Sequence, residues 1–177
     1  MCGIAAIFAY NSDAPGVDAG ELTAIRDHMI SRGPDGCGSW FDDQRRIGLG
    51  HRRLSVIDLS ETGAQPMLLP ERKLAIVFNG EIYNYRELRA GLQARGCKFK
   101  STSDTEVLLH LYAEHGEAMV EKLRGMFAFV LWDGTKRGLF LARDSFGIKP
   151  LYFANDGKTF RAASQVKGLL AGGRIKT

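Results

Sequence analysis

Cys2 is the residue of this chain best equipped for chemistry, because removal of Met1 would leave a thiol and a free α-amine on the same residue. A thiol attacks only as the thiolate and needs a neighbouring base or cation to give up its proton. An α-amine, with a pKa of about 7.7 to 8.0, can take that proton directly or through water and later return it to a leaving amine. One residue can then found a hydrolytic site without a catalytic histidine. A retained Met1 would put an amide where the base is needed and cripple such a site. Position alone explains Cys2 equally well as a small apolar residue opening a strand, so other segments must decide.

Taken singly, those other segments are ambiguous. Asn79-Gly80 has the composition of a tight turn. Asp104 lies within Ser103-Asp104-Thr105-Glu106, a capping-box spacing, and an acid in a first helical turn meets the helix dipole favourably by about 0.3 to 1 kcal/mol. His51, His28, His110 and His115 each invite a base assignment, but His110 and His115 lie on a helix without metal-ligand companions and His28 sits near another helix end, so no histidine is assigned as the base. Arg143-Asp144 and Lys149-Pro150 read as charged structural turns. Gly168 to Gly173 lacks phosphate-loop spacing.

Composition narrows the class. The 177 residues are 45% hydrophobic and 25% charged, ordinary for one soluble domain with a substantial core. Twenty-four Lys and Arg against 20 Asp and Glu give a net charge of +4, but the cations are scattered among acids, which argues against nucleic acid as a partner. The three cysteines, Cys2, Cys37 and Cys97, form no CxxC pair, which favours reduced thiols in a cytoplasm and no structural zinc. The apolar opening has no basic n-region, and no run of about 18 apolar residues follows, so neither export nor membrane insertion is expected.

The elements that must position these groups are legible in outline. Cys2 to Ala9 reads as a strand. A helix capped by Asp18, with Glu21 three residues on, places Leu22, Ile25, Met29 and Ile30 on one apolar face. The loop Arg32 to Gly36 precedes a hairpin of Gly38 to Phe41 and Arg46 to Ile57. Leu74 to Phe78 is a short strand delivering Asn79-Gly80 at its end, and a helix follows from Tyr85 to Arg95 with Gly96 as its stop. Val107, Leu108, Leu111 and Tyr112 form the buried stripe of the next helix, ending near Gly116, with a short helix from Ala118 to Leu123 after it. Met126 to Trp132, Gly138 to Arg143, Pro150 to Phe153 and Thr159 to Ala163 read as a four-strand meander. Hairpins with helices in the first and middle parts point to an α+β class built from antiparallel sheets.

Read together, Cys2-Gly3-Ile4, His51-Arg52-Arg53-Leu54-Ser55, Asn79-Gly80-Glu81-Ile82-Tyr83-Asn84 and Ser103-Asp104-Thr105-Glu106 resemble the glutamine amidotransferase domain of glutamine-hydrolysing asparagine synthetases. Arg32 to Gly36, Gly125 to Phe129, Arg143-Asp144 and Gly147 to Tyr152 extend the likeness over nearly the whole chain. That family belongs to the N-terminal-nucleophile hydrolases, and the resemblance implies a four-layer αββα sandwich over residues 1 to 177. It implies that Cys2 attacks the side-chain amide of glutamine and passes through a γ-glutamyl thioester. It assigns the oxyanion donors to the Asn79 amide and the Gly80 backbone N–H. It makes Arg53 the clamp on the substrate α-carboxylate, with Arg52 pointing to solvent. Leu54, Ser55, Val56 and Ile57 would line the pocket, and Glu81 and Asp104 would receive the α-ammonium.

The same resemblance implies no metal or cofactor in this domain, with ATP and Mg confined to a synthetase domain whose Ser-Gly-Gly-containing loop does not occur here. Ammonia would pass to such a domain in cis, or to a synthetase subunit in trans. The acceptor, aspartate or another carboxylate, stays open, as does a homodimer. Gln165 departs from the pattern, since the family places a glutamate there near the domain junction. Two other readings compete: an N-terminal-nucleophile hydrolase of another amide, which would not need the arginine clamp, and a degenerate, non-catalytic binding domain.

Overall fold

The computed structural model describes residues 1–175. The first strand, β1 (Gly3–Phe8), is apolar throughout, and period-two alternation sends its side chains to two different cores. Ile4 and Ala6 enter one buried cluster, while Ala5 and Ile7 enter another. A strand apolar on both faces belongs in the middle of a sheet with layers on either side, and β1 lies centrally in an antiparallel sheet ordered β2-β3-β1-β9-β8. Its members are β2 (Gly36–Phe41), β3 (Ile47–Arg53), β8 (Tyr152–Asn155) and β9 (Phe160–Ala163). A second antiparallel sheet runs β4-β5-β6-β7, from β4 (Met67–Leu69), β5 (Leu74–Ile82), β6 (Gly125–Asp133) and β7 (Gly138–Arg143).

The sheets face each other across Ile4, Ala6, Ile47 and Leu49 on one side and Ala75, Val77, Ala128 and Val130 on the other. Helices α1 (Ala19–Asp27) and α4 (Val166–Ala171) cover the outer face of the first sheet through Leu22, Ile25 and Leu169. Helices α2 (Tyr85–Ala94) and α3 (Asp104–His115) cover the second through Leu92, Val107, Leu108 and Leu111, which meet Ile76, Phe78 and Phe129. The result is the expected four-layer αββα sandwich.

Several local expectations change. Helix α1 ends at Asp27, so Ile30 falls beyond it and is 54% exposed rather than part of the apolar face. Asp18 does cap α1 by accepting from Gly20 N, but Glu21 pairs with Arg161 at 2.5 Å instead of closing a capping box. Ser103 likewise caps α3 through Thr105 N, while Glu106 turns to the Lys100 and Ser101 backbone N–H groups. The last four strands are not one meander: β6 and β7 join the second sheet and β8 and β9 the first, because β9 pairs with β1. Asn79-Gly80 is not a turn at a strand end, since β5 continues to Ile82. The segment after Gly116 is a 3-10 turn to Lys122. Short β4 and α4 have no sequence signal strong enough to predict them, β4 being only three residues long. Among the described residues no helix is long and apolar enough to cross a membrane, and no cluster of metal-ligating side chains occurs.

Candidate active site

Strand alternation and register place the reactive groups before any side-chain detail is considered. Ile4 and Ala6 face the gap between the sheets, and Cys2, two residues before Ile4, shares their direction. On β3, Ile47 and Leu49 face the same gap, so His51 and Arg53 do too. On β5 the gap-facing residues are Ala75 and Val77, and next in phase is Asn79. Gly3 is paired with Arg52, which sets Cys2 against the Arg53 end of β3. Three elements thus deliver Cys2, Arg53 and Asn79 to one end of the sandwich.

The thiol is held by the backbone of a single residue: Leu54 N–H donates to Cys2 Sγ at 3.3 Å, and Sγ–H faces Leu54 O at 3.5 Å. The Cys2 carbonyl accepts from Arg32 Nε at 3.1 Å. Arg32 reaches it because Gly33 lets its loop lie flat on β3, where a Cβ would stand 2.6 Å from Arg53 N. Burial pushes the Cys2 thiol above its ordinary value, against the lowering influence of the Leu54 N–H, the terminal amine, Arg53 and Arg32. A raised thiol is mostly protonated at neutral pH, so attack requires a base at the moment of reaction.

An unpaired stretch of sheet edge borders the same cavity as Cys2. Strand β4 pairs only with Leu74 to Ile76, so the β5 edge beyond Ile76 has no strand beside it. Side chains take over: Gln65 Oε1 accepts from Phe78 N at 2.6 Å, and Asp104 Oδ2 accepts from Ile82 N at 3.0 Å. Antiparallel pairing alternates, so Phe78, Gly80 and Ile82 all direct their backbone groups to this edge. Gly80 stands between these two side-chain-capped residues, and among the described residues neither a strand nor a side chain closes its N–H. Among the described residues, Asn79 Nδ2 is also buried without a hydrogen-bond partner. Only glycine fits at 80, because a Cβ would strike Met126 O and lie 2.8 Å from Phe127 Cα.

The cavity, of about 150 Å³, brings together the sequence-predicted residues Cys2, Arg53, Leu54, Ser55, Val56, Ile57, Asn79, Gly80, Glu81 and Asp104. Leu54 to Ile57 form a loop rather than the continuation of β3, and the Val56 side chain is 70% exposed. The Arg53 guanidinium donates to Ser60 O at 2.9 Å and to Asp58 O, which fixes its plane at the cavity wall. Arg52 does not point to solvent: it is largely buried and pairs with Asp27 at 3.1 Å. At the opposite end, burial pushes Asp104 up to about 6, against the pull of backbone N–H groups including that of Ile82, and nearby Glu81 adds to the rise.

Sequence reasoning missed Asp58, Gln65 and Lys149, which also line the cavity. Asp58 folds the loop: its carboxylate accepts from Ser60 N, Ser60 Oγ, Thr62 Oγ1 and Thr102 N. Burial opposes ionisation there, but those donations win and hold Asp58 well below the usual carboxylate range. Asp-Leu-Ser at 58 to 60 is a turn signal that could have shown the hub, whereas Gln65 carries no local signal. Asp144 has the structural role expected of it, accepting from Phe127, Phe146, Ile148 and Lys149 N. Gln165 precedes α4 and makes no capping hydrogen bond. His51 is fully buried, with Nε2 at 3.2 Å from Phe78 O, and burial pushes it down to about 4, with Arg53 adding to the fall. Its Nε2–H is committed to that carbonyl, and a ring held near 4 is a weak base.

A family model for a glutamine amidotransferase domain matches residues 1–177. The chain belongs to that family. This amidotransferase domain is 45% identical to asparagine synthetase (glutamine-hydrolysing) 1 of Bacillus subtilis over 96% of its own length and 27% of that protein's. It is 41% identical to amidase chry2 of Gibberella zeae, over 98% of the chain and 27% of the relative. The chain therefore spans about a quarter of the length of these curated relatives. In fold it resembles glutamine phosphoribosylpyrophosphate amidotransferase of B. subtilis, with a TM-score of 0.79 at 22% identity over 97% of this chain and 44% of the other. That similarity agrees with the paired antiparallel sheets and flanking helices described above.

Proposed function

We propose that this domain, once Met1 is removed, hydrolyses glutamine to glutamate and ammonia through Cys2. The observation that carries the proposal is the convergence on one small cavity of the Cys2 thiol, the Gly80 edge N–H, an Asn79 Nδ2 without a partner among the described residues, and the Arg53 and Asp104 charges. Met1 is 53% exposed, in reach of an aminopeptidase. Its loss turns the Cys2 nitrogen from an amide into an amine beside its own thiol.

In the first half-reaction the amine takes the thiol proton as Sγ bonds to the substrate amide carbon. The carbonyl oxygen becomes an oxyanion, received by Asn79 Nδ2–H and Gly80 N–H. The protonated amine then gives its proton to the leaving nitrogen, the C–N bond breaks, and ammonia departs from a γ-glutamyl thioester. In the second half-reaction water, deprotonated by the same amine, attacks the thioester, and the C–S bond breaks to release glutamate and restore the thiol. Arg53 holds the α-carboxylate in bidentate fashion, and Glu81 and Asp104 receive the α-ammonium, so opposite charges at the two ends orient the substrate. Leu54 to Ile57 close the wall between them. The chemistry of this cycle uses no metal or cofactor.

We place the ammonia acceptor outside this domain, in a synthetase unit of the kind the asparagine synthetase relatives are named for, joined in cis or in trans and using ATP and Mg. The acceptor is a carboxylate, with aspartate the first candidate. A reducing cytoplasm is the compartment that keeps a Cys2 thiol free. The test is ammonia release from glutamine by protein whose intact mass shows Met1 removed, alongside Cys2→Ala. Release by the wild type and none by the variant is expected, and equal release from both would reject cysteine catalysis.

A further inference from the structure

Among the described residues Gly80 N–H is left open on a strand edge where Phe78 N–H, Phe78 C=O and Ile82 N–H are each closed by a side chain. At Phe78, two residues before it, both backbone groups are taken: Gln65 Oε1 accepts from the N–H at 2.6 Å, and His51 Nε2–H donates to the C=O at 3.2 Å. No strand could do this without also covering Gly80, because a continued β4 would pair with the whole edge. Discrete side chains can stop after one residue.

The two side chains come from different parts of the fold. His51 projects from β3 in the opposite sheet across the inter-sheet gap, and Gln65 from the connection before β4. Gln65 is itself fixed, since its Nε2 donates to Thr105 Oγ1 at 3.2 Å in the first turn of α3. Its own carbonyl lies against Gly38, where a Cβ would stand 3.1 Å from Gln65 C. His51 carries a cost: among the described residues its Nδ1 is buried without a partner. An apolar side chain would avoid that cost but would leave Phe78 O without a donor.

We propose that Gln65 and His51 are positioning residues that clamp both backbone groups of Phe78 and thereby hold Asn79 Nδ2 and Gly80 N–H at the oxyanion. This rests on the assignment of those two groups as oxyanion donors. Neither Gln65 nor His51 supplies a proton or touches the reacting carbonyl. Each acts through the peptide that precedes Asn79.

The test compares wild type, Gln65→Leu, His51→Leu and Gln65→Glu, all with Met1 removed. Two reactions of Cys2 are read. Ammonia release from glutamine passes through an oxyanion, whereas alkylation by iodoacetamide, followed on the N-terminal peptide to exclude Cys37, displaces iodide without one. Misplacing reacting groups by about 1 Å can cost about 100-fold, so kcat should fall roughly 10- to 100-fold in both leucine variants. KM for glutamine and the alkylation rate should stay within about twofold, as for loss of a transition-state interaction alone. Gln65→Glu keeps an oxygen facing Phe78 N–H and should recover most of kcat. In an Asn79→Ala background, Gln65→Leu should cost less than in wild type, because residues acting as a unit are not additive.

An unchanged kcat in both leucine variants overturns the clamp, as does a parallel loss of turnover and alkylation or a rise in KM alone. Where circular dichroism shows that a leucine variant is unfolded, Gln65→Asn or His51→Asn, whose shorter side chains withdraw the bonding atom from Phe78, takes its place and is read the same way. A wild type that releases no ammonia refutes the glutaminase reading. An active wild type with unaffected variants refutes only the clamp.

Discussion

Asp104→Asn should move stability and substrate binding in opposite directions. Asp104 is 4% exposed and accepts from Ile82 N at 3.0 Å, yet burial holds its folded pKa at about 6 against an ordinary 3.8. A carboxyl raised on folding favours the native state when protonated, so its contribution is fully present below the unfolded value and is lost as pH rises through the folded value. Two units at 1.36 kcal/mol each give about 3 kcal/mol. The stability of Asp104→Asn minus that of wild type should therefore grow by about 3 kcal/mol between pH of about 3.5 and pH of about 7. An asparagine oxygen can still accept from Ile82 N, so the strand edge stays capped. Substrate binding should suffer: losing a charged partner of the α-ammonium costs about 1.5 to 3 kcal/mol, a rise in KM for glutamine of roughly 10- to 150-fold. The assays are urea unfolding of both proteins across that pH range and glutamate production at pH of about 7.5. A stability difference independent of pH, or an unchanged KM, would refute the reasoning.

Arg53→Lys keeps the charge but loses the planar fork that spans Asp58 O, Ser60 O and a substrate carboxylate. KM for glutamine should rise at least about tenfold, and an equal effect on an uncharged amide substrate lacking the α-carboxylate would argue for a looser loop instead of a lost clamp. Gly80→Ala should drive a Cβ into Met126 O and Phe127 Cα, costing about 1 to 3 kcal/mol in thermal unfolding. It should also lower kcat by about 100-fold or more through displacement of the oxyanion donor. A folded Gly80→Ala protein with wild-type kcat would remove the Gly80 N–H from the mechanism.

Much of the chemistry was legible in residue types. Cys2 at the second position, the guanidinium of Arg53, the Asn79 amide and the acid at 104 each have a chemical property that neighbours cannot alter, and local patterns predicted α1, α2, α3 and most strands. Where patterns misled, the cause was non-local. Arg52 and Arg53 are adjacent and chemically alike, and only the pleat of β3 sends one to Asp27 and the other to the cavity. Asn79-Gly80 has turn composition, but pairing with Ala128 and Phe127 stretches it into a strand. The last strands looked like one ribbon because sequence cannot say which of two sheets a short strand will join; β9 found β1, near the other end of the chain, through pairs such as Ala5 with Ala163.

From its sequence alone this protein has a nucleophile that can carry its own base, the family to which it belongs and an α+β fold, because those depend on side-chain chemistry and local periodicity. Tertiary structure alone decided that the β5 edge stays open at Gly80, that Gln65 and His51 flank it at Phe78, and that Asp58 folds the loop carrying Leu54 to Ile57. Those features arise where chain segments far apart in sequence meet. A backbone N–H is chemically the same at every non-proline residue, and only its surroundings determine whether it is bonded or free to receive charge.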